Sequence, residues 1–140
     1  MKRLMVLCIV GLACVACCGG KSKAEEQTKV DAVEVLYFHG TQRCASCVAV
    51  EKETKALLGA QYGELMEQGR VCFRAIDLIE EEALADEYEV VWSSLLLVDY
   101  DAQGKKSVTD LTDFAFLNAK TAPERFREEL SKHINRMVNN

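Results

Sequence analysis

The sequence predicts one α/β domain whose sheet ends in an antiparallel pair, and three stretches predict it. The apolar run Val33-Glu34-Val35-Leu36-Tyr37-Phe38 reads as a strand. It leads through His39-Gly40-Thr41-Gln42-Arg43 into Cys44-Ala45-Ser46-Cys47, behind which apolar residues recur at helical spacing. Ser94 to Tyr100 is an almost unbroken apolar run, as expected of a strand covered on both faces. Asp101-Ala102-Gln103-Gly104 then turns the chain into Lys106 to Leu111, the second strand of a hairpin.

Met1-Lys2-Arg3 followed by Leu4 to Ala13 has the basic start and short apolar stretch of a secretory signal, too short for an ordinary spanning helix. Cys14-Val15-Ala16-Cys17-Cys18-Gly19-Gly20 resembles a bacterial lipobox, in which a cysteine behind small residues is acylated and becomes the new N-terminus. Cys17 is the first choice for that residue and Cys14 the second; the alternative is a plain cleaved signal with incidental cysteines. Residues 1–18 are thus expected to be a lipoprotein signal peptide and lipobox. Residues 19–29, made of Gly, Ser, Lys, Glu and Gln with few apolar side chains, are expected to be a flexible tether reaching about 15–20 Å. The domain is expected to occupy 30–140. Acylation would anchor it to a membrane on the extracytoplasmic side, at a periplasmic face or the cell surface, because the acyl chains partition into lipid.

Within the domain, Cys47, Val50, Thr54, Leu57 and Leu58 mark the buried stripe of a first helix that Gly59 should end. Tyr62 to Gly69 adds a turn or two of helix, and Val71 to Asp77 alternates as a strand does. Glu80 to Tyr88 is a short acidic helix with Leu84 and Tyr88 on one side. The last helix should open at Thr121-Ala122-Pro123-Glu124, a capping-box pattern with proline in the first turn, and Phe126, Leu130, Ile134 and Met137 make one apolar stripe along it. Between hairpin and last helix, Thr112 to Lys120 is too apolar for a free loop; it either packs on the core or offers a docking surface. The expected order is β-α-β-α-β-β-α.

Charge and cysteine usage exclude some functions. The net charge is −5, and loss of Lys2 and Arg3 with a leader would make it −7, which argues against nucleic acid as a partner. Four of the seven cysteines lie in the leader, leaving Cys44, Cys47 and Cys72, one pair and an odd thiol instead of a disulfide framework. Structural zinc wants four ligands and finds no second Cys-x-x-Cys or His pair. Asp99 to Asp110 partly mimics a calcium loop, but flanking strands and the lysines inside it favour a hairpin turn. No metal and no cofactor is expected.

The chemistry centres on Cys44 and Cys47. At a helix N-terminus the open N–H groups and the helix dipole stabilise a thiolate on the first cysteine. A sulfur three residues on shares its face and can close a disulfide or resolve a mixed one. Strand, short loop, Cys44-Ala45-Ser46-Cys47 and helix resemble the active site of the thioredoxin superfamily, and the element order resembles its fold across about residues 30 to 138. The resemblance implies a central mixed sheet with helices on both faces, Cys44 as nucleophile and Cys47 as the more buried resolving thiol. It also shows departures. Thioredoxins proper carry Trp-Cys-Gly-Pro-Cys where this chain has Arg43-Cys44-Ala45-Ser46-Cys47. The position at which many relatives bury an acid, six before the first cysteine, is Phe38. The cis-proline that faces the pair in relatives corresponds to Val91-Trp92-Ser93-Ser94, where a trans peptide at Trp92-Ser93 is expected, because a non-proline cis bond costs about 3 kcal/mol.

Around the pair, Arg43 either favours the Cys44 thiolate or is a solvated loop residue. His39 is a candidate proton shuttle or a hydrogen-bonded loop histidine. Trp92, beside Ser93, is a candidate contact residue or part of the core. Cys72 is expected to be a small buried hydrophobe and His133 a surface or capping residue.

The leading functional expectation is a membrane-anchored extracytoplasmic thiol-disulfide oxidoreductase acting on a protein thiol or disulfide partner, or on a membrane reductase. A narrower one comes from Tyr37 to Cys47 and the leader. These are similar to small thioredoxin-like subunits of nitrophenyl-compound nitroreductase systems, which implies electron relay within a complex. The third is a non-enzymatic carrier chelating a soft metal or metalloid through Cys44 and Cys47.

Overall fold

A computed structural model describes residues 32–139. The expected signal peptide with Cys14 and Cys17, and the expected tether, lie outside the described residues. The elements are β1 (Val33–His39), α1 (Ala45–Gln61), α2 (Gly63–Glu67), β2 (Val71–Asp77), α3 (Glu82–Glu87), β3 (Ser94–Tyr100), β4 (Lys106–Asp110), α4 (Thr112–Asn118) and α5 (Pro123–Val138).

The strands form one sheet in the order β2-β1-β3-β4. β1 runs parallel to β2 and antiparallel to β3, and β3 is antiparallel to β4. This mixed sheet, with helices on both faces, is a thioredoxin-like α/β fold. The central position of β1 explains its composition, since Val33 to Phe38 are all buried. Its side chains alternate between two cores. Val35 and Tyr37 join Val50, Leu57 and Leu58 of α1, Ala115 of α4 and Phe126, Leu130 and Ile134 of α5. Leu36 and Phe38 join Ile76, Leu96, Val98 and Ala85 of α3 on the other side.

Four expectations need correction. α1 continues through Gly59 to Gln61, because Leu57 and Leu58 are buried and the Tyr62 N–H closes on the Leu58 carbonyl. That packing outweighs the cost of about 1 kcal/mol for an interior glycine. The apolar stretch after the hairpin is a further helix, α4. Ala115 and Ala119 are buried, Phe114 stacks on Phe126 with centroids 6.5 Å apart, and of its apolar side chains only Leu117 stands well out at 72% exposed. No capping box opens α5: its N-cap is Ala122, and the Thr121 hydroxyl donates backward to the Leu117 carbonyl at 2.7 Å. Pro123 does take the first helical position. Cys72, finally, is half-exposed, because β2 pairs only with β1 and so lies at the edge of the sheet.

The hairpin turn is as expected. The Asp101 carboxylate accepts from the N–H groups of Gln103 and Lys105, and Gly104 supplies the positive φ of 76°.

Thr54 is wholly buried on α1, and its hydroxyl has no hydrogen-bond partner among the described residues. A buried hydroxyl without a partner costs about 1–3 kcal/mol. Thr54→Val, of nearly the same shape, is therefore expected to raise the urea midpoint at unchanged m value; a lowered midpoint would show that the hydroxyl is satisfied.

Candidate functional site

The site lies where three strand ends meet. The C-terminal ends of β1 and β2 and the N-terminal end of β3 share one edge of the sheet, with His39 opposite Asp77 and Phe38 opposite Ser94. The chain leaves β1 there and enters α1 at Cys44, its N-cap residue, with extended φ and ψ of −73° and 164°. The Cys44 sulfur takes the part that a serine or aspartate oxygen plays at many helix starts, accepting from the Cys47 N–H at 3.1 Å.

Cys44 and Cys47 are joined as a disulfide, their Cα atoms 5.0 Å apart. Cys44 is exposed, whereas Cys47 is 7% exposed and packs at the start of the α1 stripe. One sulfur is open to a partner and the other is shielded behind it. An exposed sulfur with a second sulfur in reach can form a mixed disulfide and resolve it within the chain.

Tyr37 holds this turn from below. It is fully buried, and its hydroxyl donates to the Cys47 carbonyl at 2.8 Å. Burial pushes its pKa up, against the lowering influence of Arg43, so the phenol stays protonated and a donor. The Arg43 guanidinium lies over the Tyr37 ring, 5.6 Å from its centroid, and pairs with Glu51 on α1. Partial burial works against the Arg43 charge, but hydrogen bonds with Glu51 and Tyr37 more than offset it and raise its pKa. Glu51 also pairs with Lys55; burial would raise its pKa, yet hydrogen bonds and charge from Lys55 and Arg43 lower it. Arg43 is thus exposed to solvent but not a bare cation. It is held between a tyrosine face and a carboxylate.

His39 turns to the neighbouring strand end. Its Nδ1 lies 3.8 Å from an Asp77 carboxylate oxygen, and its ring centroid is 5.8 Å from that of Tyr37. Asp77 meanwhile accepts from the Ile79 N–H at 2.9 Å, and the Leu78 N–H bonds the His39 carbonyl, so β1 and β2 are laced together beside the site. Trp92 and Ser93 precede β3 at the same edge. Trp92 is 67% exposed and Val91 75%, which removes Trp92 from the core. Its carbonyl accepts from the buried Ser94 hydroxyl at 3.0 Å. Ser93 is half-exposed, and every peptide bond among the described residues is trans. His133 is distant in sequence, on α5, 3.7 Å from Glu129.

Strand alternation decides which core Phe38 enters. It faces the α3 side, with its ring 5.9 Å from that of Tyr88, and the β1 residue beneath the cysteines is Tyr37. Sequence reasoning passed over Tyr37 and Glu51. Period-two alternation puts Tyr37 on the face of Val35, and Glu51 lies seven residues, or two helical turns, beyond Cys44. Among the described residues no group of three or more His, Cys, Asp or Glu side chains is placed to hold a metal ion.

No protein-family model and no curated protein matches the chain. Solved structures similar to it include the Trx4 domain of ERdj5, at 17% identity over 73% of this chain and 82% of that one, with a TM-score of 0.46. The protein Trxlp of Edwardsiella tarda shows 18% identity over 71% and 82%, TM-score 0.46. A thioredoxin of Thermus thermophilus shows 19% over 75% and 72%, TM-score 0.44. At such distance the strand order and directions, and the placement of the cysteines on them, carry the fold assignment.

The Glu51 pKa, lower folded than unfolded, has a consequence for acid stability. Its contribution is present above the unperturbed value of 4.5 and is lost as pH falls through the lowered folded value. Glu51→Gln is expected to lose stability at pH 7 and to show a shallower decline below pH 4.5 than the parent. Urea midpoints across that range check it, and parallel curves would remove Glu51 from the clamp.

Proposed function

We propose that the chain is a thiol-disulfide oxidoreductase, anchored to a membrane through an acylated Cys17 or Cys14 and working outside the cytoplasm on a protein thiol or disulfide partner. The observation that carries the redox reading is the exposed Cys44 at the N-cap of α1, disulfide-bonded to the buried Cys47.

In the reducing direction the Cys44 thiolate attacks one sulfur of a partner disulfide. The Cys44–partner bond forms as the partner bond breaks, and the first partner thiolate leaves. Cys47, as thiolate, then attacks the Cys44 sulfur and expels the second partner thiolate. The Cys44–Cys47 disulfide closes, two electrons have passed to the partner, and the two protons released by the cysteine thiols are taken up by the partner thiolates through solvent. Run backward, the same steps oxidise a partner dithiol. The residues serve either direction. The Cys47 N–H and the open end of α1 favour negative charge on the Cys44 sulfur, and burial withholds Cys47 from all but the mixed disulfide.

Anchoring is supported by the basic and apolar leader and by small residues ahead of Cys17. Among the described residues no helix is long and apolar enough to cross a membrane. The likeness of Tyr37 to Cys47 to small subunits of nitroreductase systems supports a narrower form, in which the pair relays electrons within a complex.

Cys47→Ser is expected to trap a covalent partner adduct at Cys44 that dithiothreitol releases, while Cys44→Ser traps none. Equal trapping by the two variants would exchange their roles. Absence of any adduct, together with stoichiometric zinc or arsenite binding by the wild-type dithiol, would replace the oxidoreductase with a carrier. For the anchor, an intact mass of the membrane-extracted protein should equal the chain from Cys17 or Cys14 plus acyl groups. An unlipidated N-terminus sinks that part.

A further inference from the structure

Tyr37 does more than fill the core. Three contacts converge on it at the redox pair: its hydroxyl on the Cys47 carbonyl at 2.8 Å, the Arg43 guanidinium over its ring, and the His39 ring at its edge. The Cys47 carbonyl belongs to the first turn of α1, and the N–H of the same residue faces the Cys44 sulfur at 3.1 Å. A hydrogen bond that fixes the carbonyl therefore restricts the orientation of the whole turn, including the amides that confront the sulfur. The hydroxyl is supplied by β1, a strand paired on both edges and buried along its length, and reaches across ten residues of chain.

We infer that Tyr37 is a positioning residue for the Cys44–Cys47 pair, its buried hydroxyl holding the first turn of α1 in the geometry that stabilises a thiolate on Cys44. This rests on the redox reading above and deepens it. Tyr37 is not a proton carrier in this role. It donates to a backbone carbonyl, and a buried neutral phenol is a poor base near neutral pH. The charged groups around it are Arg43 from the loop, Glu51 and Lys55 from α1, and, where protonated, His39 paired with Asp77. All of these charges remain in Tyr37→Phe, which removes only the hydroxyl with its hydrogen bonds to the Cys47 carbonyl and to Arg43, so a shift in that variant reports the hydroxyl.

The test uses the full chain. In a Cys47→Ser background, the rate of Cys44 alkylation by iodoacetamide is titrated against pH with and without Tyr37→Phe. Loss of the hydroxyl is expected to move the midpoint up by about half a unit to one unit, a three- to tenfold loss of thiolate at a fixed pH below it. With both cysteines present, the glutathione equilibrium should shift about three- to tenfold toward the disulfide, because a less stabilised thiolate disfavours the reduced form. A lower melting temperature with an unmoved midpoint would reduce Tyr37 to a structural residue and overturn the inference. Should Tyr37→Phe not fold, replacing tyrosine by 3-fluorotyrosine keeps the ring's shape and makes a stronger donor. The midpoint should then move down, and an unmoved one overturns the inference equally. The alkylation arm reads Tyr37 whether or not the pair exchanges with glutathione. A wild-type chain that never exchanges therefore overturns the oxidoreductase reading and leaves the positioning role standing on its own result.

Discussion

The burial of β1 on both faces is the constraint from which the site follows. A strand paired on each edge and covered on each face has no freedom to shift, since a slip of one residue would exchange the contents of two cores. Val35 and Tyr37 are committed to the α1 side, and Leu36 and Phe38 to the α3 side. The loop that follows starts from a fixed point in a fixed direction. Cys44 falls at the N-cap of α1 because the sheet edge and the first buried turn of that helix, Cys47 and Val50, leave the loop little choice.

Two lateral ties then hold the loop. On one flank Arg43 is folded down onto Tyr37 and Glu51; on the other His39 and Leu78 join the ends of β1 and β2. The Arg43 pair is partly exposed, and exposed ion pairs contribute little to stability on their own. Its weight lies in geometry, because it fixes the residue next to the sulfur. Trp92 and Val91 add apolar surface at the same end of the sheet, just before the strand that pairs with β1. The polar clamp, the disulfide and this apolar rim occupy one end of the sheet, while α4 and α5 close the core below.

Much of this was legible in the residues. The stripe Cys47, Val50, Thr54, Leu57 and Leu58 is the buried set of α1, residue for residue, because helical period and apolar burial are both local. β2 and β3 have the bounds their composition predicts, and the hairpin turn declares itself through Asp101 and Gly104. The failures are equally physical. Gly59 looked like a stop because intrinsic propensity is a weak force beside two buried leucines. Thr121 looked like a cap, but a capping pattern does not say which acceptor or donor its hydroxyl finds. Cys72 looked buried because sequence alternation does not tell an edge strand from a central one.

Sequence alone determined that this is an α/β chain with a Cys-x-x-Cys at a helix start, because strand periods, helix periods and motif spacing are properties of neighbouring residues. Only the tertiary structure decided which strand is central, that Tyr37 and not Phe38 lies beneath the cysteines, and that Arg43 belongs to Glu51. Those facts depend on pairing and packing between segments far apart in the chain. A residue's own type and its near neighbours carry no information about which face of a sheet a helix will cover.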